Sequence, residues 1–310
     1  MATRCGSYLR GRMMRVTRLD GCGRVIYGPD SVVTSKGMVT VTYTANIDEG
    51  EEVSQPNAAG ERCVYDPAKP AQLGYTVEIE FCQVDPEMFS IMTGQDVYTN
   101  AFGDVTGVKV NTSISSLDTA FSLEVWMGSA SSQGCAQEGG SGNFGYLLLP
   151  FLQGGVLGDV TVQNGAITFT ISNASTRDGN AWGVGPYNVD LNAMSQPAPL
   201  NEALLPDDHL VLFQTQVAPP EAQCGARPLL DPDGEDIGSV EIEIDGLEVG
   251  FDPDPSDSDA WWIDFGDGVW DYSDDGSTIT HEYEQPGTYT YTAFRGGSQV
   301  EGQVTVPSAP

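Results

Sequence analysis

A two-residue period constrains this chain more than any other feature. Residues 38–45 place Val39, Val41 and Tyr43 on one face and threonines on the other. Residues 75–81 turn Val77, Ile79 and Phe81 inward and Glu78 and Glu80 outward, and residues 121–127 repeat the pattern with Glu124 on the polar face. Such alternation is the signature of half-buried strands, because successive side chains point to opposite faces of a sheet. Residues 208–215 supply another strand. Residues 159–171 read as a hairpin around Asn164-Gly165, a pair that suits the positive φ angles of a type I′ turn. One helix interrupts the series. Asp85 is its expected N-cap, Pro86 its first residue and Thr93-Gly94 its end, with Met88, Phe89, Ile91 and Met92 on the apolar side. The expected class is all-β, with one short helix plugging an open side of the sheet packing.

Composition narrows the function. The 310 residues carry 44 Asp and Glu against 13 Lys and Arg, a net charge of -31. A nucleic-acid clamp is excluded, since it needs cations to neutralise phosphates. The longest apolar run, residues 146–152, is strand-sized and broken by Pro150, so no membrane span is expected. The arginine-rich start contains no apolar leader core, so no signal peptide is expected. Cys5, Cys22, Cys63, Cys82, Cys135 and Cys224 form no C-x-x-C pair and read as free or buried thiols made in a cytoplasm, with a zinc site at Cys5 and Cys22 disfavoured.

The chain divides into four parts. Residues 1–30 read as an N-terminal arm, because Arg12, Arg15 and Arg18 do not alternate cleanly with apolar residues. Residues 31–218 form the larger β domain. Within it, residues 46–74 are a long stretch without periodicity, rich in Asp, Glu, Pro, Asn and Gly. Loops of that length in a compact domain are functional or disordered, and ordering one within a monomer costs entropy for no evident return. Contacts between subunits are therefore expected at Arg12, Arg15, Arg18, Asp48, Glu49, Glu51, Glu52 and Tyr65. A Pro- and Asp-rich linker covers 219–238, and a second, smaller β domain covers 239–310. From Asp231 onward there are 20 acidic residues and one basic residue, Arg295.

Catalytic patterns are missing. His209 and His281 are the only histidines, and no H-E-x-x-H, G-x-S-x-G or Walker sequence is present. Gly139 to Gly142 read as a flexible loop and not as a phosphate cradle. The acidic run 252–259 lacks the ordered spacing of an EF-hand and reads as a solvated loop. Neither an enzyme nor a cofactor is expected.

The second domain carries the most specific motif: Trp262-Ile-Asp264-Phe265-Gly266-Asp267-Gly268, then His281, Tyr283, Pro286, Gly287 and Tyr289. It resembles the PKD repeat, an immunoglobulin-like β-sandwich, and that resemblance implies structural roles for these residues, His281 included. The first domain, over about residues 32–217, resembles the major tail tube proteins of long-tailed phages of actinobacteria. The likeness rests on the acidic phrase 47–52 after a first strand, on the strand-to-helix segment 84–94, and on residues 180–189.

That second resemblance implies a tail-tube-type β-sandwich or barrel whose subunits form stacked hexameric rings. It implies a virion protein, assembled in the host cytoplasm, that contacts copies of itself and other tail proteins at the tube ends. Genomic DNA would pass down the lumen without specific binding, and an anionic wall suits that passage because it repels phosphates. Glu78, Glu80 and Glu124 are the candidate lumen residues. A secreted cell-surface adhesion protein with a PKD module is the alternative reading, and a glycan-active enzyme with such a module is a weaker third.

Overall fold

The computed structural model describes residues 8–115, 119–129, 143–158, 160, 168–232, 234–255 and 259–307. The expected turn at Asn164-Gly165, the loop at Gly139 to Gly142, and Cys5 and Cys135 lie outside the described residues, as does part of the acidic run 252–259. The chain forms two compact units, Met1–Val25 with Val33–Gly225, and Ile26–Val32 with Ala226–Pro310. Both are built almost wholly of antiparallel strands, as the period of two requires. Among the described residues no helix is long and apolar enough to cross a membrane.

In chain order the strands are β1 (Tyr8–Leu19), β2 (Gly28–Ser35), β3 (Met38–Asp48), β4 (Val53–Pro56), β5 (Arg62–Asp66) and β6 (Ala71–Phe81). Helix α1 (Pro86–Thr93) follows, then β7 (Asp96–Thr99), β8 (Val105–Lys109), β9 (Ala120–Ser129), β10 (Phe144–Gln153), β11 (Val156–Leu157) and β12 (Phe169–Thr176). Short strands β13 (Asp190–Leu191) and β14 (Pro197–Ala198) precede β15 (Val211–Thr215). The main sheet of the first unit runs β1–β9–β10–β12–β6–β3, with β15 paired to the first half of β10. It curls so that the start of β3 returns beside the start of β1, where a side chain at Gly11 would meet Met38.

The helix ends follow the sequence. Asp85 Oδ1 accepts hydrogen bonds from the backbone N–H groups of Glu87 and Met88, at 3.0 and 3.3 Å. Gly94 closes the helix in the left-handed region at φ 71°. The helix buries Met88, Phe89, Ile91 and Met92 and lies against β1, β8 and β9. Pro150 falls inside β10 without breaking it. Leu149 pairs with Leu123 and Leu152 with Phe121, so Pro150 and Phe151 occupy a bulge. The missing proline N–H therefore interrupts no regular ladder bond.

The arm expected at residues 1–30 is not an arm over its described part. β1 pairs with β9 along its length, and Met13, Met14, Arg15, Val16 and Thr17 are all buried. Both faces of the strand are covered, which is why it shows no alternation. Residues 46–74 are not structureless either. The β3–β6 ladder continues to Asp48↔Ala71, and β4 and β5 form a further hairpin from Val53↔Asp66 to Pro56↔Arg62. The division between units also differs from a linker at 219–238. It falls at Gly225, because β16 (Arg227–Leu229) pairs with β2 at Val32 and Gly28.

The second unit is a two-sheet sandwich. β17 (Ser239–Asp245), β18 (Glu248–Asp254) and β21 (Ile279–Glu282) form one sheet in the order β17–β18–β21. β19 (Trp261–Asp264), β20 (Trp270–Ser273), β22 (Gly287–Arg295) and β23 (Ser298–Val306) form the other in the order β20–β19–β22–β23. Val249, Phe251, Trp261, Ile263, Phe265, Tyr283, Tyr291 and Val304 fill the space between them.

Candidate functional site

The first unit separates charges that are sealed inside from charges that are presented outside. Arg15 and Glu124 face each other across β1 and β9. Arg15 Nε and Nη2 donate to the two Glu124 carboxylate oxygens, each at 2.6 Å, and Tyr146 Oη donates to Oε1 at 2.6 Å. The guanidinium carbon lies 3.3 Å from the Tyr187 ring centroid, and Thr17 Oγ1 and Tyr187 Oη are 2.9 Å apart. Burial opposes the charge on Arg15, but the attraction and hydrogen bonds of Glu124 outweigh it and raise the arginine pKa. Burial first, and then the neighbouring Glu124 charge, push the Tyr146 phenol well above its ordinary value. Glu124 is fully buried and cannot line a lumen, and Arg15 cannot reach another subunit. These two expectations are overturned for one reason: the acid on the polar face of β9 is neutralised by the arginine of a strand that the sequence did not reveal.

The remaining candidates are at the surface. Glu78 is exposed opposite Thr42, and Glu80 is half-buried between Thr40 and Thr170. They share a face of β3, β6 and β12 whose other members include Thr44 and Thr76. Arg12 is exposed and Arg18 half-buried. Asp48, Glu49, Glu51, Glu52 and Tyr65 are exposed along the β3–β6 arm and its β4–β5 tip. Ile47, Val53, Val64 and Leu73 on the same arm are each at least half exposed. Val39 and Tyr43, which share one face of β3, are also exposed, so that face is only partly covered within the subunit; β3 also ends the sheet, and no strand pairs with its outer edge among the described residues.

A second projection was not foreseen. β7 and β8 form a hairpin whose tip residue, Phe102, is 91% exposed. Asn100 Oδ1 accepts from the N–H groups of Phe102 and Asp104, at 2.8 and 3.0 Å, and Gly103 takes a positive φ. Asn57 builds the β4–β5 tip in the same way, through Ala59 and Glu61 with Gly60 at positive φ. The five-residue phrase Asn-x-x-Gly-Asp/Glu was the available signal.

In the second unit the motif residues meet around one ring stack. The His281 ring lies 4.0 Å from that of Phe265, nearly parallel, and Nε2 is 2.7 Å from Asp267 Oδ2. Tyr283 donates to the Phe265 carbonyl and stacks on Tyr289 at 4.2 Å. Gly266 has φ 81°, and a side chain there would strike the Thr290 carbonyl, whereas Gly268 faces open space. Pro286 and Gly287 lead into β22, and Asp264 Oδ1 accepts from the Gly266 N–H. Trp261 supplies the core indole, while Trp262 is half-buried and stacks on Phe294 at 4.2 Å. The same parity as Ile263 and Phe265 marks Trp261 as the inward residue.

This packing settles the second unit. Residues 242–306 match the PKD domain. The match covers the PKD sandwich from within β17 to the end of β23. A search of the curated proteins finds no match to the chain. Among the described residues no group of His, Cys, Asp and Glu could hold a metal ion. Cys22, Cys63, Cys82 and Cys224 are free thiols.

Proposed function

We propose that this chain is the major tail tube subunit of a long-tailed bacteriophage, assembling into stacked hexameric rings that conduct DNA during ejection. One observation carries the reading. The segment 46–74 is ordered into strands, yet almost all of it is exposed, with Ile47, Val53, Val64, Tyr65 and Leu73 uncovered. Within one subunit such an arm buries little to offset its ordering entropy. Against a second copy its apolar side chains would be covered, and the outer edge of β3 could be paired.

The other features agree with that role. The face bearing Glu78 and Glu80 among threonines is anionic and hydroxyl-rich, suited to a wall along which DNA slides without sticking. The PKD unit decorates the outside of the tube. The protein acts as a structural component of the virion, without enzymatic activity or cofactor, and its other partners are the tail proteins at the tube ends. Negative-stain imaging of the purified full chain tests this: rings or tubes are expected, and dispersed monomers at high concentration would contradict it. The PKD domain at 242–306 also favours a second reading, a secreted cell-surface adhesion protein. Dispersed monomers that bind bacterial or host surfaces would support that alternative.

A further inference from the structure

We propose that the tip of the β3–β6 arm docks on a basic corner of the next copy of this chain, giving the assembly a head-to-tail direction. The inference rests on the tube reading and adds a contact and a polarity to it. The corner lies where β1 and β3 begin. Two register shifts flank Gly11 in the β1–β9 ladder, and Arg10 sits at φ 55°, so both Arg10 and Arg12 reach solvent. Gly11 packs beside Met38, which brings exposed Lys36 and exposed Val39 to the same corner.

At the far end of β3 the chain is acidic. Asp48, Glu49, Glu51 and Glu52 are all exposed, and Asp48 holds the elbow by accepting from the Gly50 N–H at 2.9 Å. Beside them Ile47, Val53 and Leu73 present apolar surface. Among the described residues, Arg10, Arg12, Lys36, Glu49, Glu51 and Glu52 make no ion pair within the subunit.

Geometry prevents the two ends from satisfying each other in one subunit. Ten residue steps along β3, from Met38 to Asp48, span about 33 Å. A second copy displaced along β3 brings the elbow of one against the corner of the other. The two surfaces differ, so the contact is heterologous, and a contact of that kind repeats from copy to copy without self-limitation unless it closes a ring. In a chain of net charge -31, an acidic arm has few places to dock without repulsion, and this corner combines cations with an apolar neighbour in Val39.

A charge exchange tests the contact. One full-length variant carries Glu49→Lys, Glu51→Lys and Glu52→Lys; the other carries Arg10→Glu, Arg12→Glu and Lys36→Glu. Each alone pairs like charges, so its concentration threshold for assembly should rise at least tenfold over the wild type. Mixed in equal amounts, each arm meets a corner of opposite sign, and assembly should return to within a few-fold of the wild-type threshold. Unfolding curves matching the wild type show that the variants fold. Wild-type tubes together with unimpaired single variants would overturn the contact alone, as would folded variants that fail to rescue each other. A wild type that never assembles would overturn the tube reading and this contact with it.

Discussion

Arg15 and Glu124 form a two-point ion pair, each contact 2.6 Å, between strands joined across more than a hundred residues of chain. Both side chains are removed from water, so their attraction must repay the desolvation of two charges. The pair therefore adds less net stability than its short contacts suggest. Removing one member is costly, because the other stays buried and unpaired.

Glu124→Ala or Arg15→Ala should each destabilise the first unit by about 3–5 kcal/mol. Replacing both, as Arg15→Met with Glu124→Leu, should recover much of that loss. Urea unfolding of the four proteins checks this, and a double variant no better than either single one would contradict it.

High pH should unfold the first unit through Tyr146. Its pKa is raised in the folded state by burial and by the neighbouring Glu124 charge. In the unfolded chain the phenol ionises near pH 10, while in the folded unit it stays protonated. The associated stability is thus complete below about pH 10 and declines as pH rises above it. Tyr146→Phe should flatten that decline in urea titrations taken between neutral and strongly alkaline pH.

Two neighbouring glycines of the PKD unit should differ. Gly266→Ala places a methyl group against the Thr290 carbonyl at a positive φ, whereas Gly268→Ala has the unfavourable φ but open space. The second should cost about 1–2 kcal/mol and the first clearly more. Thermal unfolding followed by tryptophan fluorescence separates them, since Trp261 lies in that core.

Much of this was legible in the residues, and the failures have a common cause. Asp85, Pro86 and Gly94 announced the helix because caps are local chemistry. Gly266 and Tyr289 announced the PKD sandwich for the same reason. β1 was hidden because burial on both faces erases alternation and its arginine is neutralised by a residue far along the chain. The outer location of Val39 and Tyr43 was hidden because alternation gives the two faces of a strand but not whether anything covers them. The β4–β5 tip was hidden because its ladder is short and solvated, with Asn57 and Gly60 as its clearest marks.

Deletion of residues 239–310 should leave assembly intact. That cut removes the PKD sandwich but spares β16, whose pairing with β2 is retained. Electron micrographs should show tubes thinner outside and unchanged inside. Loss of all assembly would place the PKD unit in the tube wall.

The central claim is that the exposed arm is a contact between subunits, and hydrogen exchange measures this directly. Amides of residues 46–74 in the dispersed protein should exchange quickly, since their strands are exposed and lie at the edge of the fold. On assembly, exchange across 46–74 should slow by at least tenfold, while the already buried amides of β9 and β10 should change little. Exchange that stays fast across 46–74 in finished tubes would show the arm to be a solvated excursion and would contradict the account.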